Sequence, residues 1–175
     1  IIMSYMNKIV IFTPGCLLCP IYQAEATDKN FEWVNAIRLL LFEKNANIIQ
    51  MPCPEVSFNG YSKGLKRKPH GLKYYAELES FEKYCEILAQ KVVQQIIEIQ
   101  SAGYDIRVII GIEHSPTCAV SYIYTNKGTI HCKGIFYQKI SDLLMQKQIH
   151  LTFLGINRRF FQKSVKRLKE ILERT

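Results

Sequence analysis

The sequence predicts an α/β fold: one three-layer domain over residues 1–175, mainly a parallel sheet of about four strands with helices on both faces. Three observations predict it. Short apolar runs alternate with longer stretches of helical periodicity in the order β-α-β-α-β-α-β-α, the pattern of parallel strands joined by crossover helices. The strand runs are apolar throughout rather than alternately polar, as a sheet covered on both sides requires. A chain of 175 residues, 48% hydrophobic and 22% charged, has the size and composition of one ordinary globular domain with a full core.

The elements follow in chain order. Residues 8–12 read as the first strand, and 13–29 as a loop rich in Cys, Pro, Gly, Thr and Asp. Asp28 or Asn30 can cap a helix over about 31–45, where Phe31, Val34, Ile37, Leu41 and Phe42 repeat at the helical period. Strand two is 47–51. Residues 52–78, with glycines and many lysines, read as a long loop with one helical turn, and loops of that length in a compact domain are usually functional. Ser80 opens the longest helix, about 81–101, closed by Ser101-Ala102-Gly103. Strand three is 106–112. Residues 119–134 form a second loop, in which Asn126-Lys127-Gly128-Thr129 marks a turn or short hairpin. A helix over 135–147, strand four at His150–Leu154 and a last helix over 158–173 complete the chain.

Composition narrows the function. No run approaches the roughly 18 apolar residues of a membrane span. Ile1 to Met6 lacks the basic region and cleavage site of a signal peptide; Ile1 and Ile2 precede the first Met and are set aside. The net charge of +8 invites a nucleic-acid reading, but no recognition-helix or RNA-binding signature accompanies it. Much of the charge lies at Lys63–Lys73, in a loop after the Cys53 motif, and at Arg158–Arg174, which reads as the solvated face of an amphipathic helix. A small anionic substrate suits the first region, and neither nucleic acid nor membrane is the expected partner. The six cysteines are not needed as staples in a chain this long. Their clustering at strand ends argues for a metal or redox site in a reducing cytoplasm.

Those strand ends repeat one device. Ala46–Gln50 runs into Met51-Pro52-Cys53-Pro54-Glu55, Ile9–Phe12 into Thr13-Pro14-Gly15-Cys16, and Val108–Ile112 into Glu113-His114-Ser115-Pro116-Thr117-Cys118. Prolines fix their own φ and push the preceding residue out of the helical region, so Cys53 is expected on a stiff, extended loop with Glu55 two residues on. In a parallel α/β sheet, ligands bind beyond the carboxyl ends of the strands, and Cys16, Cys53 and Cys118 all fall on that edge. Three thiolates suit zinc or an iron–sulfur cluster. A closed zinc site wants four ligands, usually as paired Cys-x₂-Cys knuckles, and Cys16-Leu17-Leu18-Cys19 is the one such pair. Three ligands on a cubane of four irons leave one iron open as a Lewis acid.

Cys16-Leu17-Leu18, Cys53-Pro54-Glu55 and Ser115-Pro116-Thr117-Cys118, in this order and after strands, resemble the three motifs of the thiouracil desulfidase family. The resemblance covers most of residues 8–122 and extends loosely to the end, as a desulfidase-related branch. It implies a 4Fe–4S cluster held by Cys16, Cys53 and Cys118, an open iron that takes sulfur from a small thiolated compound such as a thionucleobase, and proton transfer by Glu55 and Ser115. The chain departs from the family pattern where Cys19 and Ala119 replace glycines. Cys19 is thereby a rival to Cys16, with Cys16 expected to face the other two, and Ala119 is expected to narrow the pocket.

The chemistry of the residues agrees with that implication. A soft thiocarbonyl sulfur suits an open iron, and a nearby carboxylate activates water and helps eject sulfide. Glu55 is the nearest carboxylate in sequence, or else a plain helix cap, and Ser115 is placed to relay a proton. His114 and Arg67 are the substrate-binding candidates. Arg67 lies with Lys66, Lys68 and His70 in the basic loop, which either grips an anion or is simply solvated. Tyr74 and Tyr75 are read first as core, as is Cys85 on an apolar helix face, and Cys132 as structural. Two other readings stay open: a sulfur carrier or zinc-binding protein without turnover, and an RNA-associated protein.

Overall fold

The computed structural model describes residues 8–23, 28–59 and 70–174. The elements run β1 (Ile9–Pro14), α1 (Asp28–Glu43), β2 (Asn47–Met51), α2 (Pro54–Asn59), α3 (Leu72–Glu77), α4 (Phe81–Ser101), β3 (Asp105–Ile112), β4 (Tyr122–Thr125), β5 (Gly128–His131), α5 (Ile135–Gln146), β6 (Phe153–Ile156) and α6 (Phe161–Leu172). Single turns of 3₁₀ helix follow β1 at Gly15–Leu17 and Pro20–Tyr22. Four strands make one parallel sheet in the order β2-β1-β3-β6, and β4 pairs with β5 as a separate antiparallel hairpin.

Apolar strands between two helical layers account for the core. Val10 and Phe12 of β1, with Ile106 and Ile109 of β3, pack against α4 and α5. Ile11, Val108, Ile110 and Ile112 pack on the other face against α1 and α6. The strict alternation of β3 breaks between Ile106 and Val108, where β1 advances one residue and β3 two. This bulge keeps both faces of β3 apolar while setting Arg107 aside. As an edge strand β2 buries less: Ile48 is exposed, and Met51 at its end is the residue fully in the core.

The predicted boundaries hold for β2 and α4 and shift elsewhere. Ser80 precedes α4 in a left-handed conformation, and its hydroxyl makes no cap hydrogen bond. Gly103, with φ of 84°, ends α4 and lets the Tyr104 amide reach back to the Ile99 carbonyl at 3.2 Å. The predicted strand His150–Leu154 becomes β6 at Phe153–Ile156, because β3 pairs Ile109 with Phe153 and Ile112 with Ile156. Ile149 and Leu151 instead pack beside α5. Asp28 opens α1 itself, while Asn30 lies inside it. Among the described residues no helix is long and apolar enough to cross a membrane.

The sheet order places the site. The crossover from β1 moves to β2 on one side, and the next moves back past β1 to β3. The order of strands therefore reverses between β1 and β3, and a crevice opens there beyond their carboxyl ends.

Candidate active site

The crevice is a cavity of about 410 Å³ whose walls include Cys16, Cys53 and Cys118. Each thiol is delivered by its own strand end. Cys16 lies in the 3₁₀ turn after β1. Its carbonyl accepts a 2.7 Å hydrogen bond from the Gln23 side-chain amide, Nε2, and Gln23 Oε1 in turn accepts one from Asn30 of α1. Cys53 follows β2 and stands at the entrance to α2, where the Ser57 amide donates to its carbonyl at 2.8 Å. Cys118 is buried in the turn after β3.

That last turn is fixed from several directions. The first amides of α5 have no partners within their own helix; Ile135 donates to the Pro116 carbonyl at 3.0 Å and Phe136 to Thr117 at 3.1 Å. The Ile112 amide donates to the Cys118 carbonyl at 3.0 Å. Such close backbone approach needs glycine on the facing elements. A Cβ on Gly134 would lie 2.3 Å from the Thr117 carbonyl carbon, and one on Gly111 would lie 2.5 Å from the Cys118 carbonyl oxygen. Ser115 closes the turn from within, its Oγ accepting from the amides of Thr117 at 3.3 Å and Cys118 at 3.1 Å.

Electrostatics follow from this crowding. Burial, and then the neighbouring Cys53, push the Cys16 thiol up to about 12, with Arg158 pulling the other way. Burial, followed by Cys53 and Cys16, holds Cys118 well above the usual thiol range. Three thiolates in one cavity therefore oppose one another unless a positive group joins them. Among the described residues, no three His, Cys, Asp or Glu side chains close on a point as the ligands of a single metal ion do. Three soft thiol donors around one cavity are a ligand set that suits zinc or an iron–sulfur cluster.

Glu55 stands in the same wall. It does not ride an extended loop: Pro54 begins α2, and Glu55 is in its first turn. Pro is well suited to that position, since it has no amide proton to leave unsatisfied. The carboxylate is gripped at both oxygens, Oε1 by the Thr117 hydroxyl at 2.7 Å and Oε2 by the Tyr75 hydroxyl at 3.0 Å. Thr117 has one hydroxyl proton and gives it to Glu55. In the 3.3 Å contact between Ser115 Oγ and Thr117 Oγ1, Ser115 is then the donor. A chain of oxygens runs from Ser115 through Thr117 to Glu55.

No family model matches the sequence. An uncharacterized protein of Methanocaldococcus jannaschii is 28% identical over 141 residues, which is 79% of this chain and 81% of that protein. A solved structure of a 4Fe–4S-dependent thiouracil desulfidase matches 91% of this chain and 97% of that one, with a TM-score of 0.50 and 18% identity. The chain has the fold of a thiouracil desulfidase. At 18% identity the likeness extends to the fold, and what the cavity does depends on this chain's own side chains.

Within this desulfidase fold, Cys16, Cys53, Cys118, Glu55, Ser115 and His114 come to one cavity. Cys19 is not in its wall, and its neighbour Pro20 starts the second 3₁₀ turn. Arg67, with Lys66 and Lys68, lies outside the described residues. Cys85 is fully buried in the core. Tyr75 is also fully buried but holds Glu55, whereas Tyr74 is partly exposed and stacks on His70 at 3.8 Å.

Three contributions escaped the sequence reading. Thr117, the variable position of Ser-Pro-x-Cys, bridges Glu55 and the Cys118 sulfur, the latter at 3.4 Å; its hydroxyl beside a motif cysteine was the available signal. Gln23 and Asn30 brace Cys16 through contacts that nothing in the sequence announces. Arg158 and Arg159 are not the start of the solvated helix face. They precede α6 and line the cavity, with Arg158 held over the Trp33 ring at 5.9 Å.

Proposed function

We propose that the protein is a desulfidase that hydrolyses a carbon–sulfur bond in a small thiolated compound, with Cys16, Cys53 and Cys118 holding a 4Fe–4S cluster. The observation that carries this reading is the arrival of three thiols from three adjacent parallel strands at one cavity, with a doubly held carboxylate in the same wall. The fold shared with a 4Fe–4S-dependent thiouracil desulfidase supports it. When bound, such a cluster supplies a Lewis-acid iron for a soft thiocarbonyl sulfur.

The chain's own residues handle the protons. Exchanging C=S for C=O adds the oxygen of water to carbon, breaks the carbon–sulfur bond and releases sulfide, with no net transfer of electrons. Glu55 takes a proton from the attacking water and returns it as sulfur leaves. The two hydroxyls that grip it fix its direction. Ser115 and Thr117 supply a hydroxyl path along which that proton is shared.

Iron and sulfide analysis of anaerobically reconstituted protein, with an absorption spectrum, tests the reading. A brown protein with about four irons and four sulfides per chain is expected. A colourless anaerobic protein carrying zinc rejects it.

A further inference from the structure

His114 is placed unlike any other cavity residue. Its backbone is left-handed, with φ of 69°. The conformation is pinned by its amide donating to the Tyr122 carbonyl at 2.7 Å and by a bridge to Ile123. Its ring lies flat on Tyr124, 3.8 Å between centroids and 11° between planes, so it cannot turn freely. Nδ1 is sealed from solvent and has no hydrogen-bond partner. That leaves Nε2 as the nitrogen able to meet whatever enters the cavity that His114 lines.

The sealed nitrogen decides where the proton sits. The neutral ring must leave one nitrogen without a proton, and in folded proteins an orphaned buried N–H is rarer than an under-satisfied acceptor. The proton of the neutral ring therefore belongs on Nε2. Protonating both nitrogens would place a charged N–H in the sealed position. Burial accordingly lowers the ring's pKa, and nearby Arg159 adds to the effect. Glu113 acts in the opposite sense, but its carboxylate is engaged by the Ser121 and Tyr122 amides at 3.1 and 3.0 Å.

We propose that His114 offers a fixed Nε2–H to the cavity as a hydrogen-bond donor, and that the substrate presents an acceptor to it, a carbonyl oxygen or an unprotonated ring nitrogen. This rests on the desulfidase reading for the nature of the substrate but not for the donor itself. It selects planar thioamides that carry a second heteroatom over simple thioamides that lack one.

The test uses uracil, the sulfur-free counterpart of thiouracil, so that binding does not depend on a thiocarbonyl. In ¹⁵N-histidine-labelled protein, with and without iron reconstitution, His114 should show the neutral Nε2–H tautomer at pH 7, and its Nε2 signal should shift on uracil addition. His114→Asn keeps a residue that tolerates the left-handed backbone but has no donor at that reach. It should melt like the parent chain and bind uracil roughly tenfold more weakly. His114→Gln, whose amide extends further, should recover part of that loss, which a purely structural role does not predict. An Nδ1–H or cationic ring at pH 7, no uracil-dependent shift, or unchanged uracil affinity in His114→Asn overturns the proposal. Uracil binding by a protein that takes up no cluster would reject the desulfidase reading and leave the donor standing.

Discussion

Glu55 and Ser115 hold different positions in one hydrogen-bonded chain, and their substitutions should separate chemistry from scaffolding. Glu55→Gln keeps the side chain's size and removes the base. It should retain the cluster spectrum and lose turnover by roughly 10²-fold, the usual scale for a general acid–base; near-normal turnover would deny Glu55 the proton, and loss of the spectrum would make it scaffold. Ser115→Ala removes the acceptor for two backbone amides of the Cys118 turn, so it should also lower unfolding free energy, by about 1 kcal/mol. A denaturant titration on both variants distinguishes them, since Glu55→Gln leaves those two amide contacts in place. That both residues reach the cavity at the strand ends was legible in the sequence from motif and strand-end position. Their partners were not. Tyr75 lies 20 positions from Glu55 and Thr117 lies 62 positions away, and no local pattern encodes a contact made across two strand ends.

The elements that carry the cysteines depend on close backbone packing, most of all where α5 meets the Cys118 turn. Gly134→Ala would drive a Cβ to 2.3 Å from the Thr117 carbonyl carbon and 2.6 Å from the Cys118 amide nitrogen. Both are backbone atoms, the Thr117 carbonyl held by amides of α5 and the Cys118 amide by Ser115 Oγ, so neither can swing aside as a side chain can. A loss of about 1–3 kcal/mol is expected, the cost of overpacking, together with lower iron content after reconstitution. Gly71→Ala is the control: nothing lies within 4 Å of its added Cβ, and stability should stay within about 0.5 kcal/mol of the parent. Helical periodicity made α4 readable and an apolar run made β2 so, while the turn residues Asn126–Thr129 marked the bend of the β4–β5 hairpin within a predicted loop. The start of β6 was misplaced, since Ile149, Leu151, Phe153, Leu154 and Ile156 carry apolar positions through both the predicted and the observed span. Its register comes from β3, where Gly111 stands opposite Gly155. The special role of Gly134 was likewise hidden, because a glycine before a helix looks the same whether it starts a helix or makes room for a neighbour.

At the scale of the whole molecule, the parallel order β2-β1-β3 brings together three cysteines that the chain keeps far apart. The alternation of strands and helices foretold this meeting, since consecutive parallel strands end at one edge. The charge of +8 foretold less: it spread over α6 and left Arg158 and Arg159, rather than a long basic face, at the cavity. A group held by Cys16, Cys53 and Cys118 would join the ends of β1, β2 and β3, so its binding should stabilise the sheet and not merely the loops. Only the folded chain assembles this site, so cluster binding adds to folding free energy by mass action, about 2.7 kcal/mol when effective ligand concentration is a hundredfold above Kd. For a domain of this size that corresponds to a rise in Tm of roughly 5–10 °C. The rise should appear in anaerobic melts of reconstituted against cluster-free protein and vanish in Cys53→Ser. It should persist in Cys19→Ser, whose side chain is outside the cavity wall. If Cys19→Ser abolished the shift while Cys16→Ser kept it, the first ligand would be Cys19. If reconstitution left Tm unchanged in the parent chain, the three strand ends would not share a bound group.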